Sequence, residues 1–385
     1  MKIAIIRRKF NPFGGAEKFI LRTIQGLSNF NIHTSIIAES WVKNDDVSSL
    51  TGQDWIKADA TGKSRTSKFL AFQNSVGHIL ETHDFDLIQS HERLLGADIY
   101  RLGDGIHASW VARLASVSPW YTRLWLKIDP YHSAVIRTEK AMANEPHLTY
   151  VANSDLVKQE LMNWYDVAEN RIVLIENGID GSAFTPASTA LKAAEKTKLG
   201  LNPNAPTVVF VGSGFARKGA FDLLDAVKSL PEFQLVIVGH DKQLAKLKKR
   251  VKEYDIGKRV FVTGPQHDVT PFLTAADIFC LPSLYDSFPN AVLEALCCAL
   301  PVIVTDAVGI ADALTKHHAG VVCEKEASSI ANALQRVWKN KEEMSQNALT
   351  LSRNYDLAKA SELWLNLYNT LINQKKVGTI AHPSH

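Results

Sequence analysis

Near the C-terminal third of the chain, Leu281 to Pro301 reads LPSLYDSFPNAVLEALCCALP, and two carboxylates in it are spaced for chemistry. Asp286 stands in the loop between an apolar strand expected over Ala276 to Leu281 and a helix that follows Asp286, Ser287 and Phe288. Glu294, with seven residues between it and Asp286, is expected two turns into that helix. A phosphate at the helix N-terminus would meet unpaired backbone N–H groups and the positive end of the dipole. A plainer role is also open, with Asp286 capping the helix and Glu294 solvated. Earlier, GSGFARKG places Gly212 and Gly214 in a turn and Arg217 beside Lys218. A Gly-rich turn admits phosphate to backbone N–H groups, and two adjacent cations suit a diphosphate. No third glycine lies three residues after Gly214, so this is not the dinucleotide fingerprint. The motif gains weight because Glu294, an acid able to hold a ribose diol, comes from another loop of the same sheet edge.

The elements that position these residues alternate between strand and helix, which predicts doubly wound α/β domains. Lys2 to Ile6 is a continuous apolar run, the mark of a strand buried on both faces of a parallel sheet. A turn-rich loop follows, in which Gly14 and Gly15 would let backbone approach a ligand or merely close a tight connection, and then a helical pattern from Ala16 to Leu27. Further strands are expected at His33–Ala38, Leu87–Ser90, Thr149–Ala152 and Ile172–Ile175, with a helix at Lys68–Thr82 and Ser154 as the N-cap of another. In the second half, strands are expected at Thr207–Val211, Leu235–Val238, Val260–Thr263, Ile278–Leu281, Val302–Thr305 and Gly320–Cys323. The carboxyl ends of these strands present Gly212, Gly214, Arg217 and Lys218, then Gly239 and His240, Gln266, Pro282 to Asn290, and Thr305 with Asp306. Ligands of open α/β sheets bind along that edge. Residues 1–185 form the expected first domain, 186–206 a linker, 207–355 the second domain, 356–375 a C-terminal helix returning to the first, and 376–385 a frayed tail.

A chain of 385 residues suits two such domains, and 46% hydrophobic with 22% charged residues is the composition of a soluble globular protein. The net charge of +3 gives no case for nucleic acid. Cys280, Cys297, Cys298 and Cys323 contain no C-x-x-C pair, so they suggest neither a zinc site nor a disulfide framework. The opening MKIAIIRRKF is too short in apolar residues for a signal peptide, and no stretch approaches the roughly 18 needed for a spanning helix. A cytoplasmic protein is expected. One segment breaks the α/β rhythm: between Ala97 and Lys140, Trp110, Trp120, Tyr121 and Trp125 interleave with Arg101, Arg113, Arg123 and Lys127. Such a pattern serves either a membrane interface with anionic lipid or a buried aromatic cluster with solvated cations.

The motifs PFGGAEKF, ANS, IENGID, VGSGFARKG, VIVGHD, VTGPQHDV, AADIFCLPS and the Asp286/Glu294 pair, running in order almost end to end, resemble the family-4 retaining glycosyltransferases with two facing Rossmann-like domains, the GT-B fold. Within that family the PFGG and GSxFxRKG loops are similar to those of members that glucosylate the lipopolysaccharide core. The resemblance implies a donor site in the interdomain cleft, with Gly14, Gly15, Gly212, Gly214 and Gln266 near the diphosphate. It implies Arg217 and Lys218 neutralising the leaving diphosphate and Glu294 on the ribose. Asp286 and the backbone of Ser287, Phe288, Pro289 and Asn290 would hold donor sugar and phosphate. Asp104 and His107 of GDGIH would supply polar groups against donor sugar and acceptor. The family usually has Glu where this chain has Asp286. No metal and no other cofactor is expected. The implied partners are a nucleoside-diphosphate sugar, with UDP-glucose the expected donor, a lipid-linked saccharide and an anionic membrane surface. A mannosyl- or N-acetylglucosaminyltransferase, and a catalytically silent sugar-nucleotide binder, are the competing readings; an epimerase or phosphorylase is a more distant one.

Overall fold

The computed structural model describes residues 1–10, 17, 19–21, 23–24, 32–41 and 54–381. Gly14, Gly15 and most of the helix expected from Ala16 to Leu27 lie outside the described residues. The chain forms two compact units, 1–178 with 357–385, and 179–356.

The first unit is built on a seven-stranded sheet of β1 (Lys2–Ile6), β2 (His33–Ala38), β3 (Asp54–Lys57), β4 (Leu87–Ser90), β5 (Ile99–Arg101), β6 (Thr149–Ala152) and β7 (Ile172–Leu174). Their spatial order is β3-β2-β1-β4-β5-β6-β7, and every pairing is parallel. Four of the five β1 residues are buried, as a strand covered on both faces requires. The order reverses between β1 and β4, and loops leaving a sheet at such a point diverge and open a crevice. Its helices are α1 (Arg65–Thr82), α2 (His107–Ser116), α3 (Trp120–Ile128), α4 (Pro130–Ala143) and α5 (Asp155–Tyr165). Ser154 caps α5, its hydroxyl accepting from the Val157 N–H, as expected from the sequence. The aromatic segment folds as three helices because Pro119 precedes α3 and Pro130 opens α4 behind the capping Asp129.

The second unit opens with α6 (Thr189–Lys198) and has a six-stranded parallel sheet of β8 (Thr207–Val211), β9 (Gln234–Val238), β10 (Val260–Gly264), β11 (Ile278–Leu281), β12 (Val302–Val304) and β13 (Gly320–Val322), in the order β10-β9-β8-β11-β12-β13. The reversal therefore recurs between β8 and β11. Along the chain these strands alternate with α7 (Phe215–Lys218), α8 (Ala220–Lys228), α9 (Leu244–Glu253), α10 (Thr270–Ala275), α11 (Asn290–Cys297) and α12 (Ala311–Lys316), before α13 (Ala327–Lys339) and α14 (Lys341–Ser352). The segment expected to be a linker belongs to this unit. The buried Asp277 carboxylate draws in Lys196 at 2.7 Å and Lys192 at 3.1 Å, fastening α6 beside the start of β11.

The last helix, α15 (Leu357–Ala381), packs Trp364 and Tyr368 into a cluster with Ile3, Ile5 and Leu87 of the first sheet. It continues past the point where a frayed tail was expected, because no proline interrupts the sequence between Asn373 and Ala381. Tyr368 donates to Gln89 Oε1 at 2.6 Å.

Candidate functional site

In the second unit the site residues gather where the strand order reverses. After β8, Gly214 takes φ +83° and Gly219 φ +80°, so the chain turns sharply into α7 and again into α8. A Cβ on Gly219 would lie 2.2 Å from the Pro282 carbonyl oxygen, which is how closely the β8 loop approaches the β11 loop. The Leu284 N–H donates to the Arg217 carbonyl at 2.7 Å and clips the two loops together. Arg217 Nη1 donates to the Tyr285 carbonyl at 2.7 Å and stands 3.6 Å from Asp286 Oδ2, while Lys218 Nζ lies 3.1 Å from the same oxygen. Asp286 does not cap the helix. Its N–H donates to the Ala307 carbonyl and its own carbonyl accepts from Gly309 N–H, so its backbone is tied to the loop after β12 while its carboxylate serves as counter-ion to the two cations.

The α11 helix starts at Asn290, with Pro289 at the N-cap providing no side-chain cap. Glu294 is thus little more than one turn in, rather than two, and its carboxylate is buried rather than solvated, 4% exposed. Ser287, in the turn before the helix, is buried as well. The Phe288 ring packs on Tyr355, centroids 5.5 Å apart, so it belongs to the core and only its backbone remains for a ligand. Gln266 is exposed in the loop that follows β10 and Gly264, which has φ +81°. Gly212 backs onto Lys218: a Cβ there would meet the lysine Cδ at 2.8 Å.

In the first unit, the corresponding edge gathers a network that sequence reading largely missed. Arg7, directly after β1, pairs with Glu17 at 2.8 Å, Asp104 at 3.1 Å and Glu92 at 3.3 Å. Burial alone would raise the Asp104 carboxyl, but Arg7, with Arg93 and Arg101 behind it, holds it down at about 2 although half of the side chain is exposed. His107 opens α2, and its Nε2 shares a hydrogen bond with His132 Nδ1 at 2.9 Å. Burial, then the nearby Arg93, His132 and Arg65, push His107 down to about 3, so the imidazole is neutral at physiological pH. Deeper in, Gln89 Oε1 accepts from the Tyr368 hydroxyl, and the amide nitrogen of Gln89 stands 2.9 Å from His91 Nε2. Arg101 is fully buried on the Phe19 ring at 3.6 Å and donates to Asn177 Oδ1 at 2.6 Å; burial brings it down to about 9, still cationic at neutral pH.

What the sequence offered for Arg7, Glu92 and Arg93 was only their place just after the expected strands Lys2–Ile6 and Leu87–Ser90; that these two strands flank the order reversal is seen in the structure. Among the described residues no group of three His, Cys, Asp or Glu side chains converges as a metal site. Nor is any described helix long and apolar enough to cross a membrane.

Comparison with known proteins agrees with this architecture. The family model of glycosyl transferases group 1 matches residues 192–350, and that of glycosyltransferase family 4 matches residues 13–182. Lipopolysaccharide glucosyltransferase WaaG of Escherichia coli is 23% identical over 84% of this chain and 85% of its own. A D-inositol 3-phosphate glycosyltransferase of Jonesia denitrificans is 30% identical over 46% of this chain, which spans only 45% of that relative's length. The crystal structure of WaaG superposes with a TM-score of 0.82 at 19% identity, covering 95% of this chain and 99% of that one. Anabaena HepE in complex with UDP and glucose superposes at 0.75 with 17% identity, over 96% and 100% of the two chains. Two doubly wound units, matched in order by two glycosyltransferase models and along nearly the whole chain by solved glycosyltransferases, lead to one assignment: the chain belongs to the family-4 glycosyltransferases of the GT-B fold.

Proposed function

We propose that the protein is a retaining glycosyltransferase that moves a hexose, glucose in our reading, from UDP to a lipid-linked saccharide of the lipopolysaccharide-core type. The observation that carries this reading is the pair Arg217 and Lys218 at the order reversal of the second sheet, both turned toward one carboxylate, Asp286, that an incoming diphosphate can replace. In this mechanism the bond between sugar C1 and the phosphate oxygen breaks as the acceptor hydroxyl bonds to C1 on the same face. The hydroxyl proton passes to the departing phosphate. Charge growing on the diphosphate is met by the two cations and by the N-terminus of α11, so the reaction proceeds without a metal. Glu294 holds the ribose diol, Asp286 and the Ser287–Asn290 backbone hold the donor sugar, and Asp104 with neutral His107 supply polar groups of the first unit. The similarity to WaaG, a lipopolysaccharide glucosyltransferase, and to HepE, solved with UDP-glucose, supports the donor and acceptor classes. Release of nucleotide from a panel of nucleoside-diphosphate sugars, with and without EDTA, tests the reading. UDP-glucose turning over in EDTA is the expected result; binding with no release from any donor would establish the silent binder instead.

We further propose that the enzyme is cytoplasmic and meets its acceptor at the anionic inner face of the membrane through α3. Trp120, Tyr121, Leu124, Trp125 and Ile128 of this one short helix are all more than half exposed, a concentration of apolar surface that water disfavours. Arg123 and Lys127 are exposed on the same helix. Arg113, in contrast, is engaged with Glu160 at 3.3 Å and adds less to the surface charge. Changing Arg123 and Lys127 to Ser should lower co-sedimentation with anionic vesicles. Equal binding to neutral and anionic vesicles, or no change in the variant, would contradict this reading.

A further inference from the structure

We infer that Glu139 is a positioning residue for the reaction: it fixes the Gly103–His107 loop so that Asp104 and His107 are presented in one conformation. The inference rests on the reading that Asp104 and His107 serve transfer. The α2 helix begins at His107 with Ile106 at its N-cap, a residue that has no side chain able to accept a hydrogen bond. The cap comes instead from another helix. Glu139, in the last turn but one of α4, accepts from the His107 N–H through Oε1 at 2.8 Å and from the Ala108 N–H through Oε2 at 3.4 Å. Oε1 also accepts from Arg93 Nε at 2.7 Å, and Oε2 from the Tyr165 hydroxyl at 2.6 Å. One carboxylate, 4% exposed, therefore takes four donors from three other segments of the fold.

Arg93 completes the fixture. Its Nη2 donates to the Gly105 carbonyl at 2.9 Å, so the loop is held at Gly105 by the arginine and at His107 by the glutamate that binds the same arginine. Gly105 takes φ +68°, a turn a side chain would resist, and its N–H closes on the Leu102 carbonyl at 3.0 Å. Asp104 lies inside the Leu102–Gly105 turn, directly before the anchored Gly105, and reaches Arg7 from a backbone with little freedom left. A buried ion pair often contributes little net stability over apolar packing of the same shape, whereas its directional bonds do specify one arrangement. Four charge-assisted bonds converging behind a candidate catalytic loop fit that use.

The test uses the full chain with UDP-glucose turnover, the affinity for free UDP, thermal unfolding and amide exchange. Glu139→Gln puts an amide among donors and should lower kcat about tenfold or more, with unchanged UDP affinity and faster exchange at the His107 and Ala108 amides. Tyr165→Phe removes one donor of the four and should lower kcat a few-fold in the same pattern. If Glu139→Gln does not fold, Tyr165→Phe and Arg93→Lys, which loses the Gly105 bond, carry the test. Asp104→Asn and His107→Ala separate the two levels of the argument. If both keep wild-type turnover, the reading of Asp104 and His107 is wrong. If they lose turnover while the folded Glu139, Tyr165 and Arg93 variants keep wild-type kcat, or lose it only in proportion to the unfolded fraction, positioning by Glu139 is refuted.

Discussion

Lys218 stands in two roles at once, counter-ion of Asp286 and candidate cation for the leaving diphosphate, and a double substitution separates them. Its side chain is 15% exposed and that of Asp286 12%, with 3.1 Å between Nζ and Oδ2. Removing one partner of a buried pair costs about 3–5 kcal/mol. Here Arg217 remains 3.6 Å from the carboxylate, so Lys218→Met should cost nearer 2 kcal/mol, or roughly 4–8 °C in Tm for a unit of this size. Its kinetic effect should be larger and of separate origin. A preorganised charge aimed at the departing diphosphate is worth about 2.7–4 kcal/mol in the transition state, roughly 100- to 1,000-fold in kcat. Adding Asp286→Asn removes the stranded charge, so the double variant should regain most of the lost Tm while its kcat stays at or below that of Lys218→Met. Thermal unfolding and nucleotide release measured on the same preparations decide it. A Lys218→Met enzyme within tenfold of wild-type turnover would refute the reasoning. So would a double variant that recovers turnover along with Tm, since Lys218 would then be only the partner of Asp286.

Gly219→Ala should be strongly destabilising, about 3 kcal/mol or more, because φ is +80° and the new Cβ would meet the Pro282 carbonyl at 2.2 Å; Gly257→Ala, with nothing within 4 Å, should stay within about 0.5 kcal/mol by thermal unfolding. Glu176 is pushed up to about 7, first by burial and then by Asp155, so the unfolded chain binds fewer protons than the native one between pH 4.5 and 7 and stability falls as pH rises through that window. Glu176→Gln should therefore raise stability at pH 8 by roughly 1–2 kcal/mol, allowing for solvent screening of the half-buried carboxyl, and give no gain at pH 4; the same gain at both pH values would contradict it. Tyr368→Phe leaves Gln89 Oε1 without its donor, at a cost of about 1–3 kcal/mol, and hydrogen exchange in α15 should accelerate more than in the second unit.

Most strands were legible because parallel strands buried on both faces are apolar runs, as in Lys2–Ile6 and Thr207–Val211, both found with the expected bounds. Two were not. Asp54–Lys57 is an edge strand with a charge at each end, and Ile99–Arg101 is three residues long and ends in a buried arginine whose hydrogen-bonding and stacking partners, Asn177 and Phe19, lie far away in sequence. The second-unit site was legible because its residues sit in local motifs, GSGFARKG and the Asp286-to-Glu294 stretch. Local reading still misassigned Asp286, whose carboxylate is claimed by cations 68 and 69 residues earlier in the chain rather than by the helix that follows it. The Arg7, Glu92, Arg93 and Glu139 network escaped because its members come from separate strands and helices and carry no common spacing. Even the exposure of α3 could not be read from its amphipathic pattern, which serves a buried cluster equally well.

The central claim is transfer from a nucleoside-diphosphate sugar with the configuration at C1 retained and the diphosphate charge met by Arg217 and Lys218. Proton NMR of UDP-α-glucose turnover in EDTA, recorded before the free sugar mutarotates, tests it most directly. The account predicts an α-linked or α-configured product appearing first, with release of UDP that falls at least a hundredfold in Arg217→Ala and Lys218→Ala. A β-configured first product, or turnover undiminished in both variants, would contradict it.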